Sequence, residues 1–169
     1  MTRQPSATMP DICDCVIEDE RWAMLDLGPL AERAARAALD IADIGEGDWE
    51  VAVLACDDAR IATLNASFRD KPVATNVLSW PAEALAPDEP GEMPYLPDGP
   101  ELGDIAIAFD TCAREAAEQG IEFSDHVTHL IIHAILHLLG FDHIDDGDAE
   151  LMEGLEIKAL ASIGIENPY

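Results

Sequence analysis

Apolar positions recur along the chain with two periods, which divide it into short strands and longer helices. Residues 12–17 (ICDCVI) alternate and predict a first strand. Leu30, Ala34, Ala37, Ala38 and Ile41 recur at helical spacing and predict a helix over 29–41, with Pro29 in its first turn and Gly45 and Gly47 beyond its end. Residues 49–55 (WEVAVLA) read as a second strand. A helix follows to Phe68, capped by Asp57 or Asp58, with Ile61 and Leu64 facing inward. A third strand is expected near Asn76–Trp80, stopped by Pro81, and a fourth over Asp104–Phe109. Asp110 or Thr111 is the expected cap of a helix that Gly120 ends. A longer helix is predicted over Ser124–Leu139, with Ser124 as N-cap and Gly140 as stop, and a last one over Asp146–Ser162. The order β-α-β-α-β-β-α-α-α, with no internal repeat, indicates an α+β fold. The expectation is a single domain over 12–169, a mixed four-stranded sheet covered by helices, behind a flexible tail over 1–11.

Between the third and fourth strands, residues 82–101 are rich in proline and acid. Such a stretch predicts a solvated excursion, either a mobile flap over a site or a plain surface insertion. The most apolar run, Leu130–Leu139, is interrupted by His133 and His137, so no membrane span is expected. Residues 1–11 lack the apolar segment of a signal peptide. Cys13, Cys15, Cys56 and Cys112 show no C-x-x-C spacing and read as reduced, small apolar side chains of a cytoplasmic protein. Nine Lys and Arg stand against 35 Asp and Glu, a formal charge of −26. With 49% hydrophobic residues the chain is no disordered acidic tail. The charge also argues against nucleic-acid binding through a broad basic face.

All the histidines lie within one short stretch: His126, His129, His133, His137 and His143. At 100° per residue the first four share one helical stripe about 80° wide. Such a stripe is costly to bury in an apolar helix without partners. The tightest pattern is His133-x-x-x-His137-x-x-Gly140-x-x-His143. His133 and His137 are one turn apart and can reach one ion. Gly140 lets the chain leave the helix sharply, so that His143 can return to the same ion. Three neutral nitrogens leave a fourth position open, as in catalytic zinc sites; a structural site would be closed, and only Cys112 could approach in space. His129 faces the same way, as a substrate contact, a proton shuttle or a lining residue, while His126 is expected to be exposed. The spacing equals that of metzincin peptidases, but Ala134 stands where they carry a general-base glutamate. That substitution argues against proteolysis and leaves a metal-dependent hydrolase standing.

Residues 129–143, HLIIHAILHLLGFDH, resemble the signature of the YbeY family of bacterial endoribonucleases. That family usually has glycine where this chain has Ala134, and tyrosine is common at Phe141. LNASFR and TNVLSWP (64–69 and 75–81) resemble its arginine-bearing loop and strand. LGDIAIAFDT (102–111) resembles its fourth strand and following cap, and LMEGLEIKALASIGIENPY (151–169) its terminal helix and tail. The likeness runs in order over 49–169. One departure is that Val73 and Ala74 separate Asp70-Lys71-Pro72 from Thr75-Asn76, which leaves the place of Lys71 open.

The resemblance implies a zincin-like metal-hydrolase domain with one zinc ion (Zn2+) on His133, His137 and His143. It implies a single-strand-specific endoribonuclease of ribosomal RNA maturation, acting at the small-subunit 3′ end and in ribosome quality control. Implied partners are ribosomal RNA, the small ribosomal subunit and ribosome-assembly proteins, with no membrane. Arg69 corresponds to the family's functional arginine. The residues' own chemistry fits phosphodiester hydrolysis, with His133 and Arg69 as the catalytic candidates. The Arg69 guanidinium matches phosphate oxygens, the alternative being a surface ion pair. Arg69, Lys71, Asn76 and His129 are the candidate substrate contacts. Thr75 and Ser79 either line an RNA groove or cap the strand, and Phe68 and Trp80 either stack on bases or belong to the core. Each ligand histidine needs a hydrogen-bond partner to orient it. Asp142, Asp145 and Asp146 lie nearby in sequence, Asp146 being the expected cap of the last helix. Two other classes stay open: a metal hydrolase of another substrate, and a non-enzymatic, zinc-stabilised ribosome-assembly factor. No Lys or Arg lies between Lys71 and Arg114 or between Arg114 and Lys158. With Arg60, Arg69 and Lys71 close together, the expectation is a small positive cleft, made by the ion with Arg69 and Lys71, in a negative body.

Overall fold

Four strands, β1 (Cys13–Ile17), β2 (Glu50–Cys56), β3 (Val77–Pro81) and β4 (Glu101–Ala108), form one sheet. In the computed structural model, which describes residues 11–169, the strand order is β1-β2-β4-β3. The tail expected over 1–11 therefore lies, except for Asp11, outside the described residues. β1 with β2 and β2 with β4 are parallel, and β3 with β4 is antiparallel. Parallel neighbours need crossovers. Helix α1 (Leu27–Ala42) supplies one, and α2 (Asp58–Arg69) lies on the other. Helices α3 (Phe109–Gln119), α4 (Phe123–Leu138) and α5 (Asp146–Ser162) complete the α+β domain.

Alternation along the strands sends side chains into two cores. Val51, Val53, Ile105 and Ile107 join α1, α4 and α5 in the large one. Cys56, Leu78, Ala106 and Ala108 join Ile61 of α2 in the small one, with Leu64 half-buried against it. The stripe of α1 is Ala31, Ala34, Ala35 and Ala38, all fully buried. Such small side chains let α1 approach α4 closely. α4 is thus walled in on most sides, and only its histidine stripe is left to open onto a cleft.

Several expected caps are replaced. Asp145, not Asp146, caps α5, its carboxylate accepting from Gly147 N at 3.0 Å. Ser124 lies inside α4, where its carbonyl accepts from the Thr128 hydroxyl. Ala108 precedes α3 and cannot cap it; Asp58 of α2 accepts from the Thr111 N–H at 3.0 Å and from its hydroxyl, while Asp110 pairs with Arg21 at 2.6 Å. Asp57 does cap α2, through Arg60 N. A 3₁₀ turn over Glu20–Leu25 carries no periodic signal, yet it seats the fully buried Trp22 against Phe109 and Phe123. The Trp22 Nε1–H donates to Cys56 O at 2.8 Å.

The proline-rich excursion is largely exposed, as expected of a solvated segment, but hydrogen bonds tie it down. Tyr95 N donates to Leu85 O, the Tyr95 hydroxyl to Asp88, and Asp98 N and Gly99 N to Glu83. Gly91 N reaches Asp148 on α5 at 2.7 Å, and Leu85 is buried. The segment's own carboxylates satisfy its backbone donors, so its acidity serves folding as well as solvation. Among the described residues no helix is long and apolar enough to cross a membrane, and all four cysteines are free thiols.

Candidate metal centre

The stripe on α4 ends in a triangle of imidazoles. Ring centroids are 4.7 Å apart for His133 and His137, 5.3 Å for His133 and His143, and 5.1 Å for His137 and His143. One ligand nitrogen from each lies within 4.8 Å of the others. Helical spacing brings the first two together, and Gly140 brings the third. Gly140 has φ +103°, and a Cβ there would sit 2.7 Å from the Leu85 carbonyl carbon. Only glycine both adopts that backbone and fits beneath the excursion.

The donor set suits one divalent ion with nitrogen preference, such as zinc. Burial, with His133 and His143 adjoining, pushes His137 down to about 4, which keeps its nitrogen unprotonated at neutral pH. Cys112, the sequence's candidate for a fourth ligand, is buried with its thiol on Asn76 O and is no part of the triangle.

The partner that orients His133 comes from α5. Glu156 is fully buried; its Oε2 lies 2.7 Å from His133 Nδ1 and its Oε1 2.6 Å from His129 Nε2. The Tyr169 hydroxyl also donates to Oε1 at 2.5 Å. Burial by itself would raise this carboxyl; hydrogen bonds from His129, His133 and Tyr169 outweigh it and hold it down to about 2. Burial first, and then the same bond, push Tyr169 up. A carboxylate accepts only, so Nδ1 of His133 carries the proton and Nε2 is left for an ion. Sequence reasoning offered only Asp142, Asp145 and Asp146 nearby, and read them as caps of the next helix or solvent-facing groups. The overlooked signal was a glutamate on the buried face of α5, in step with Met152, Ala159 and Leu160.

The triangle opens into a cleft of about 1400 Å³. Arg69, Lys71, Thr75, Asn76, Ser79, His129 and Ala134 all line it. Arg69 ends α2 and donates from Nη2 to Ser79 O on β3 at 3.0 Å, which leaves its other guanidinium donors facing solvent. Buried Asn65 accepts Lys71 N on its carbonyl and donates its amide to Val73 O, pinning the loop that carries Lys71. Asn76 bonds Glu115 through Nδ2 and Val77 N through Oδ1.

One expectation fails here, and the open alternative for Phe68 and Trp80 is decided. His126 is buried, not exposed, because Glu115 of α3 covers it at 2.9 Å. Phe68 and Trp80 pack edge to face on the small-core side of the sheet, away from the cleft. The side chains of the cleft are mixed in charge: Glu83, Glu115 and Asp142 line it with Arg69 and Lys71, while Arg60 turns to Glu18.

Residues 17–164 match the family model described as Endoribonuclease YbeY. The chain belongs to the YbeY endoribonuclease family. It is 59% identical over 157 residues to the Endoribonuclease YbeY of Dinoroseobacter shibae, covering 90% of this chain and 87% of that one. It is 55% identical over 161 residues to that of Paracoccus denitrificans, covering 95% and 91%. The solution structure of TM1509 from Thermotoga maritima shares the fold, with TM-score 0.54 and 22% identity over 89% of this chain and 91% of that one. Within the YbeY family this chain is an enzyme of the RNA-hydrolysing class, and its histidine triangle is a group that can hold a metal.

Proposed function

We propose that the protein is a zinc-dependent, single-strand-specific endoribonuclease that matures ribosomal RNA, at the small-subunit 3′ end, and takes part in ribosome quality control. Its partners are ribosomal RNA, the small subunit and assembly proteins, and its four free thiols fit the reducing cytoplasm. The observation that carries the reading is that the three-histidine triangle and Arg69 line one cleft.

His133, His137 and His143 hold the ion, and as neutral ligands they leave its charge undiminished. A bound zinc supplies Lewis acidity toward a phosphoryl oxygen and acidifies a water molecule. Arg69, with Nη2 anchored on Ser79 O, presents its remaining donors to a non-bridging phosphate oxygen. Lys71 adds a second positive charge on the strand's path. Ala134 offers no general base, and Glu156 is fully buried and engaged by three donors, so neither supplies the carboxylate that a peptidase uses. His129, held by Glu156, lines the floor of the cleft.

The test is cleavage of small-subunit precursor RNA by wild type, His137→Ala and Arg69→Ala, with bound metal measured by mass spectrometry. His137→Ala is expected to lose metal and activity together, and Arg69→Ala to lose activity with metal retained. Undiminished cleavage by both variants would overturn the reading.

A further inference from the structure

A second polar constellation lies in the same cleft, outside the metal triangle. Glu115 Oε1 accepts from Asn76 Nδ2 at 3.0 Å and from His126 Nε2 at 2.9 Å. His126 is buried, and its Nδ1 has no hydrogen-bond partner among the described residues. The ring is therefore held through Nε2 alone, at the expense of an unpaired buried nitrogen. Both donors converge on one oxygen. A carboxylate has about four acceptor sites, and among the described residues Glu115 Oε2 receives no protein hydrogen bond. The side chain is 27% exposed and lines the cleft, with Gln119 one turn further along α3.

A fixed carboxylate whose side-chain partners are a histidine and an asparagine, not a lysine or arginine, repels phosphate. What it takes from a nucleotide is a neutral donor, an N–H or O–H. His126 lies seven residues before His133, about 10 Å along the helix, beyond the reacting atoms. We infer that Glu115, fixed by Asn76 and His126, is a specificity-determining acceptor for a hydrogen-bond donor of a nucleotide flanking the scissile bond. The donor is a ribose 2′-hydroxyl or a base amino group. Asn76 then acts as a positioning residue. This inference rests on the RNA-cleaving reading above.

The experiment compares kcat/KM of metal-loaded wild type and Glu115→Ala on an unstructured RNA oligonucleotide with a mapped cut. Matched copies delete one donor at a time at flanking positions. One arm is 2′-deoxy, sparing the sugar 5′ to the cut; the other is inosine for guanosine or purine riboside for adenosine. At one position the deletion is expected to cost wild type about tenfold, as for a hydrogen bond to a charged group. It should cost Glu115→Ala less than twofold, and the responding arm names the donor. Additive losses at every position overturn the inference and leave the nuclease reading intact. Failure of wild type to cut the unmodified oligonucleotide overturns both. Should Glu115→Ala not fold, Glu115→Gln retains a carbonyl for His126 and Asn76 but loses the charge, and its penalty is expected to fall to about threefold or less.

Discussion

Glu156 Oε2 lies 2.7 Å from His133 Nδ1, and the carboxylate that makes this contact has no solvent exposure at all. A buried charge is tolerated only with partners, and all the side-chain donors on this one belong to the cleft: His129, His133 and Tyr169. The core of the fold and the chemistry of the cleft therefore meet at a single side chain.

Replacing Glu156 by glutamine keeps the shape and removes the charge. Metal affinity is expected to fall about 10–100-fold, the usual cost of losing a ligand's orienting partner. Competition with a chromogenic chelator measures it. Unchanged affinity would show that His133 needs no help from α5.

The metal-free protein should lose stability on acidification in two steps. His137 sits at about 4 against an ordinary 6.5, and Glu156 at about 2 against 4.5. Both are depressed by folding, so the unfolded chain binds more protons in each window. His137's contribution is complete above pH 6.5 and disappears as pH falls toward 4. Glu156's is complete above 4.5 and disappears as pH falls toward 2. Urea unfolding at stepped pH in a chelator reads both, and His137→Ala should flatten the upper step alone.

Arg69→Ala should lower kcat/KM on RNA by about 100-fold, as removal of a charge-stabilising donor does elsewhere. It should cost only about 1 kcal/mol of stability, the worth of one hydrogen bond to Ser79 O. Arg69→Lys should recover little, because an ammonium cannot hold Ser79 and a phosphate with one planar fork. Thermal unfolding beside steady-state cleavage separates the two effects.

Gly140→Ala meets two obstacles together, a φ of +103° and a Cβ contact of 2.7 Å with Leu85. A destabilisation on the order of 2–4 kcal/mol is expected from backbone strain and overpacking combined. Metal affinity should fall as well, since His143 follows the same turn. Calorimetry and metal titration test the pair, and a normal melting temperature would contradict the packing described for Leu85.

Much of the fold is local enough to read. The strand alternation in ICDCVI and WEVAVLA, the cap at Asp57 and the span of α5 all depend on neighbours within a few residues. The misplaced caps of α3 share one cause. Asp110 and Thr111 were drawn to Arg21 and Asp58, each more than fifty residues away in sequence. Trp22 sits in a 3₁₀ turn too short for a period to register, although its ring is among the most buried in the chain.

The sequence by itself determined the histidine triangle, because His133, His137, Gly140 and His143 are bound by helix pitch and one glycine turn. Tertiary structure alone decided which carboxylate orients the triangle, that Arg69 leans on β3, and that Glu115 covers His126. The physical reason is distance along the chain. Spacing encodes the geometry of one or two helical turns, whereas a contact between α5 and α4, or α3 and α4, exists only once apolar faces have packed and fixed the helices against each other.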